Sequence, residues 1–330
     1  MDVGQISAKK SHGFPLKPLE RYRRCPCLLL PDICQGENRA KGFFGVASVS
    51  SLPHSMRPMN RLKASMKKSA KAHVLTARTA DKHFLYENSV QNTASAIETI
   101  DDIYRKERRR RPKSLREDFC GTAKLCADWV KEENTRMAVG VDFDAPTLDW
   151  AMTHNIAPLD TDAKSRVRLL RSDVLDCDEK GFDVICAFNF SYWTFQNRSI
   201  LKRYFQNAFN CLNDDGLFLL DIYGGPDSQF VMEEETEHET FTYVWDQAKM
   251  DPINNHIVCH IHYRFKDGSE MTKAFTYDWR IWSMPELRDI LEEIGFRKVI
   301  AWWDCEDDVF RPKKSTENLI SWVAYLAAWR

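Results

Sequence analysis

"SLREDFCGTAKLCADWV", residues 114–130, decides how the rest of the chain is read. It runs a short strand into a helix across a turn that holds one glycine, Gly121, among the small residues Cys120, Thr122 and Ala123. Such a turn lets a ligand approach the backbone closely. The strand itself carries Arg116, Glu117 and Asp118 where a buried parallel strand should be apolar, and those charges need partners.

Strands and helices alternate outward from this stretch. "NTASAIETIDDIYRKE" precedes it with Ile97, Ile100 and Tyr104 on one helical face, and "ERRRRPK" closes that helix as a solvated basic turn. "MAVGVDF", "RVRLLRSD", "FDVICAFNF" and "LFLLDIY" follow as strands, and residues 200–212 form a strongly amphipathic helix. The pattern predicts a doubly wound α/β fold, a mostly parallel sheet covered by helices on both faces. Between residues 238 and 281 the period drops to two, which predicts a three-stranded antiparallel meander inserted as a lid over residues 226–282. Ser283 and Glu286 open a capped helix, and "FRKVIAWWD" and "LISWVAYLAAW" finish the chain as two strands, the last of them antiparallel.

The net charge of −1 hides an asymmetry: residues 1–80 hold 15 Lys/Arg against 4 Asp/Glu, and the remainder is correspondingly acidic. This segment lacks a sustained apolar period, so it reads as a basic, disordered extension before a domain at 81–330. Its composition also resembles an organelle transit peptide, leaving a mitochondrial or plastid address as the alternative to the cytoplasm. Ten scattered cysteines without a C-x-x-C pair suit a reducing compartment. No apolar run is long enough for a membrane span, and no metal site is expected.

Three carboxylates, Glu117, Asp142 and Asp173, end three successive predicted strands, and Asp142 lies 25 residues after Glu117. Ligands bind at the carboxyl ends of such strands, where an acidic residue ending the second can take ribose hydroxyls. A nicotinamide fingerprint would align Lys124 with its third glycine, which excludes the close packing that glycine allows.

Over about residues 85–330 the chain resembles the class I S-adenosylmethionine-dependent methyltransferases, whose first strand ends in an acidic-x-Gly-x-Gly-x-Gly turn. The matching run is Glu117-Asp118-Phe119-Cys120-Gly121-Thr122-Ala123, with only the middle glycine kept. The resemblance implies S-adenosylmethionine as cofactor. It places Glu117, Phe119, Gly121 and Thr122 beside the methionine part, Asp142 and Phe143 at the ribose, and Asp173 and Val174 at the adenine. Asn189 of "NFSY" (189–192) would touch both cofactor and acceptor.

On the acceptor side Asn189, Tyr192 and His260 are the candidate catalytic groups, and Tyr192, Tyr223, Trp245 and Trp279 the candidate substrate contacts. "NFSY" lacks the prolines of the family's base-flipping members, so nucleic-acid bases are not favoured. Alternation puts Tyr243, Trp245, Tyr277 and Trp279 on one lid face, which reads as packing before it reads as a cage for a cation. His256, His260 and His262 share the polar face. The expected protein is therefore an enzyme that methylates a small molecule. An RNA or protein methyltransferase using its basic segments, or a non-catalytic module on the same fold, is the alternative. The oligomeric state stays open.

Overall fold

Strand β1 (Ser114–Asp118) pairs in parallel with β2 (Met137–Asp142) on one side and β4 (Phe182–Ala187) on the other. β3 (Val167–Arg171) extends the sheet beyond β2, and β5 (Leu212–Gly224) extends it beyond β4. In this computed structural model, which describes residues 75–304 and 309–330, the strand order is β11-β10-β12-β5-β4-β1-β2-β3. β12 (Trp322–Trp329) runs antiparallel between β5 and β10 (Lys298–Asp304). The expected doubly wound sheet with an antiparallel closing strand is present. Because the chain crosses from β3 back to β4, the strand order reverses between β1 and β4. A crevice therefore opens at their carboxyl ends.

Helices α1 (Lys82–Ser89) and α2 (Thr93–Arg108) precede the sheet, and α3 (Lys124–Glu132), α4 (Ala145–Ala151) and α5 (Thr161–Ser165) link β1 to β3. α6 (Arg198–Cys211) and α7 (Met284–Ile294) cover the opposite face. Ile97, Ile100 and Tyr104 of α2 are buried, as their spacing predicts. The β3–β4 connection contains no helix, although strict alternation would have supplied one.

The charges of β1 find partners within the fold. Arg116 and Asp118, two residues apart, point to one face and form a fully buried ion pair at 2.9 Å. Tyr204 of α6 donates its hydroxyl to Asp118 at 2.9 Å, and Arg116 donates to Asn207 at 3.2 Å. Glu117 points to the opposite face.

The basic run after α2 is likewise committed to the fold. Arg110 makes two 3.0 Å bonds to Asp183, Arg108 donates to the Asp215 carbonyl, and Arg111 pairs with Glu133. These residues sit at the amino end of the sheet, opposite the crevice.

The insertion is a second antiparallel sheet of four strands: β6 (Met232–Glu237), β7 (Phe241–Asp251), β8 (His256–Phe265) and β9 (Glu270–Arg280). The additional strand, "MEEETE", is an edge strand with no apolar alternation, so periodicity does not reveal it. β11 (Phe310–Lys313), another short edge strand, carries Pro312, which an edge tolerates.

The packed chain begins earlier than residue 81. Leu75, Ala77 and Ala80 pack against the core, and Ala77 donates its backbone N–H to Ser269 in the β8–β9 turn at 2.9 Å. The rest of the basic extension lies outside the described residues. Among the described residues, no helix is long and apolar enough to cross a membrane.

Candidate active site

The turn after β1 has an unusual backbone. Phe119, Gly121 and Ala123 all adopt left-handed conformations, with φ of 58°, 52° and 53°. These are the three positions that carry glycine in the motif this turn resembles, so the conformation persists where the residue type does not. A left-handed non-glycine residue costs about 1–3 kcal/mol and must be held by its surroundings. The Phe119 ring is held by Phe195 and Tyr204, at 5.8 and 5.6 Å. Its bulk is thus directed into the protein, away from the turn's ligand side. A Cβ added at Gly121 would stand in open space. Gly140 of β2 lets Cys120 settle onto the sheet, since a Cβ there would lie 2.8 Å from the Cys120 sulfur.

Asp142, at the end of β2, binds this turn directly. Its Oδ2 accepts the Gly121 N–H at 2.9 Å, and its Oδ1 accepts the Asp144 N–H at 3.0 Å. Each oxygen retains a lone pair. Phe143, beside it, is 70% exposed, exceptional for a phenylalanine in a strand-end turn. Asp173 is exposed and turns back onto the Leu175 N–H, while the Val174 side chain is buried. Thr122 is buried, with its hydroxyl 3.5 Å from Gln91.

A cavity of about 880 Å³, measured out to its open mouth, occupies the crevice between β1 and β4. Glu117, Asn189, Trp245 and Trp279, among the predicted site residues, line it. The lid contributes Tyr243, Trp245, Ile261, Tyr277 and Trp279, so its aromatic face closes over the carboxyl edge of the main sheet. The turn between α1 and α2, with Gln91 and Asn92, forms the facing wall. Periodicity said nothing of that wall, because it is a connection between helices.

Glu117 is buried and accepts from the Cys126 N–H at 3.3 Å and the Cys126 thiol at 3.1 Å. Burial pushes its pKa up to about 8, with nearby Asp142 and Asp118 adding to the rise.

The main residue missed by sequence reasoning is Asp221. It sits in β5 within "LLDIY", 8% exposed, and lines the cavity. Its two oxygens accept the backbone N–H groups of Asn189 and Phe190, at 2.6 and 3.0 Å. Both of those residues are left-handed, with φ of 55° and 57°, so Asp221 holds a strained turn at the end of β4. Burial pushes its pKa up to about 7. A single acid within the apolar run of residues 217–223 was the available signal.

Three expectations need correction. Tyr192 is fully buried, and its hydroxyl donates to the Asp221 carbonyl at 2.8 Å, so it supports the site from behind. Tyr223 lies behind Phe190, its ring 5.9 Å away and its hydroxyl directed to Gln247. His260 is on the wrong face of β8: alternation gives Ile261 to the cavity and sends His260 to Thr276, 2.9 Å away. Its burial lowers the imidazole pKa. His262 faces Asp246 at 3.3 Å, and His256 pairs with Asp278.

No protein-family model matches the chain, and no curated protein matches it in sequence. Solved structures do. One is an S-adenosylmethionine-dependent methyltransferase from Clostridium acetobutylicum, at TM-score 0.57 and 15% identity, covering 75% of this chain and 96% of that one. A sugar N-methyltransferase from a Streptoalloteichus species matches at TM-score 0.55 and 17% identity, covering 81% and 98%. An amino pentose methyltransferase from Micromonospora echinaspora, solved with S-adenosylmethionine bound, matches at TM-score 0.56 and 12% identity, over 75% and 95%. Strand order, reversal point and closing antiparallel strand agree with these likenesses: the chain has the fold of the class I S-adenosylmethionine-dependent methyltransferases.

Proposed function

We propose that this protein is an enzyme that transfers a methyl group from S-adenosylmethionine to a small-molecule acceptor held beneath the lid. The observation that carries the reading is the juxtaposition at the strand-order reversal. An open backbone turn tied to Asp142 runs between Glu117 and Leu125, both of which line a cavity with Asn189 beside Glu117 on its floor and an aromatic sheet as its roof.

The residues present fit the cofactor. Asp142 keeps lone pairs for ribose hydroxyls, and exposed Phe143 offers an apolar face beside it. Asp173 and the Val174 backbone stand at the next strand end, where adenine would lie. The open side of Gly121 admits the methionine part, and Glu117 is a buried carboxylate suited to its ammonium group. When bound, S-adenosylmethionine supplies a methyl group on a cationic sulfur. The protein's part is to align the acceptor and keep water away, which the lid aromatics and the α1–α2 turn are placed to do.

The likeness to two enzymes described as acting on sugars supports a small acceptor. The basic run that offered one support for an RNA or protein acceptor is committed to the fold, because Arg108, Arg110 and Arg111 are paired at the opposite end of the sheet. Calorimetry with S-adenosylmethionine and S-adenosylhomocysteine tests the reading. Binding in the micromolar range is expected, and no binding at millimolar ligand would overturn it. Labelled cofactor and fractionated metabolites would then identify the acceptor.

A further inference from the structure

Two buried carboxylates line one cavity, and among the described residues neither is paired with a cation. Glu117 is bonded to Cys126, and Asp221 to the backbone of Asn189 and Phe190. No Lys, Arg or His stands among the cavity's lining residues. The roof above them is a bank of π faces. Tyr277 and Trp279 stack at 4.3 Å, with Trp245 at 6.0 and 6.3 Å from their centroids. A buried carboxyl without a cationic partner holds its proton near neutrality, so a cation that enters this cavity is the group that ionises it and pairs with it.

We infer that the acceptor is an amine, which enters as an ammonium ion between Asp221 and the Trp245–Tyr277–Trp279 faces of the lid. The inference rests on the methyl-transfer reading and deepens it. Carboxylate, phosphate and sulfate acceptors meet no basic group in this cavity, and their charge opposes ionisation of Glu117 and Asp221. A neutral alcohol would gain the apolar walls but neither the cation–π attraction nor the charge-assisted bond. Glu117 belongs to the β1 side, next to the turn at Gly121, and so serves the cofactor's ammonium. Asp221, beneath the strained Asn189–Phe190 turn and cross-strand from Tyr325, is left for the acceptor.

The proton balance follows from this placement. The ammonium gives one proton to the Asp221 carboxylate, which frees the nitrogen lone pair. The nitrogen then bonds the methyl carbon as that carbon's bond to sulfur breaks. The product leaves as a methylated ammonium and Asp221 returns its proton to water, so the net release is one proton per turnover. The elevated proton affinity that burial gives Asp221 suits it to this role.

The experiment uses matched sets of probes on one skeleton: benzylamine, benzyl alcohol and benzoate; cyclohexylamine, cyclohexanol and cyclohexanecarboxylate; and a methyl aminohexoside with its parent hexoside. Binding to the full chain is followed by calorimetry and tryptophan fluorescence, with and without S-adenosylhomocysteine. At least one amine should bind about tenfold or more tightly than its alcohol and carboxylate counterparts. Asp221→Asn should reduce that preference, read as the ratio of amine to alcohol affinity in the same variant, to within about threefold. If Asp221→Asn does not fold, Tyr277→Leu carries the same test, with the amine-to-alcohol ratio falling. Equal binding of alcohol or carboxylate, or no binding by any amine at millimolar concentration, overturns the inference. S-adenosylhomocysteine affinity, measured separately, reports on the methyl-transfer reading alone.

Discussion

Asp142 and Gly121 are joined by a 2.9 Å hydrogen bond from the Gly121 N–H to the Asp142 carboxylate, so the end of the second strand fixes the turn after the first. One side chain therefore shapes the turn and offers its remaining lone pairs to a ligand. Asp142→Ala should weaken S-adenosylmethionine binding by ~1.5–3 kcal/mol, the range for bonds to charged groups. Asp173→Ala should cost less, because the Val174 backbone remains. Calorimetry on the two variants gives the ranking, and equal losses would contradict it.

Phe119 tests where the bulk in that turn is directed. Phe119→Gly relieves left-handed strain of about 1–3 kcal/mol but removes a ring seated on Phe195 and Tyr204. For a half-buried ring the packing loss should prevail, giving a net destabilisation of about 1–2 kcal/mol in chemical denaturation. Cofactor affinity should stay within about twofold, since the ring faces the core. A large change in affinity would place the ring on the ligand side.

Arg116 and Asp118 form a fully buried pair, and breaking it should be severe. Arg116→Leu leaves Asp118 without its cation and should cost ~3–5 kcal/mol. The double variant Arg116→Leu/Asp118→Leu should recover part of that loss, because no uncompensated charge remains. Denaturation midpoints of the single and double variants decide between these outcomes.

Stability should fall as the solution becomes alkaline. Burial raises Glu117 from 4.5 to about 8 and Asp221 from 3.8 to about 7. Their contribution is complete below the unfolded values and is lost as pH climbs through the folded ones. The groups around Glu117 are Cys126, Asp118 and Asp142, and those around Asp221 are Cys186, Tyr192 and Tyr325. None is a cation that would reverse the sign. The thermal midpoint of wild type should drop between about pH 5 and about pH 9, and Glu117→Gln should flatten the curve. An unchanged slope in that variant would refute the assignment to Glu117.

The start of the packed chain can be tested by truncation. A chain beginning at Lys71 should keep its thermal midpoint, whereas one beginning at Asp81 loses Leu75, Ala77, Ala80 and the Ala77–Ser269 bond. The second should melt several degrees lower, by about 1–2 kcal/mol. Identical midpoints would return the boundary to residue 80.

Most of the fold was legible because its strands are apolar runs and its helices have one buried face. What escaped has physical reasons. β6 is acidic on both faces, so no alternation marked it. Tyr192 and His260 were assigned from residue type, and type does not tell which way a side chain points. The roles of Arg116 and Asp118 were hidden because their partners Tyr204 and Asn207 lie some ninety positions away. Asp221 was visible as an acid in an apolar strand, but its meaning depends on two backbone N–H groups that only the folded chain presents.

The lid is one unbroken stretch, β6 to β9, attached along its length to α1, to the segment before it and to the loops that flank the lid. Gln247 donates to the Asp227 and Phe230 carbonyls, and Trp282 and Arg280 donate to those of Phe195 and Gln196. The turn tied to Asp142 is built entirely from β1 and β2 and shares none of that stretch. The two halves of the site are thus separable in heredity. On the proposed function, a mutation, duplication or recombination within residues 232–280 would redraw which acceptor is admitted while the donor half is inherited intact. New specificities in such a chain would accumulate as exchanges of a single cassette.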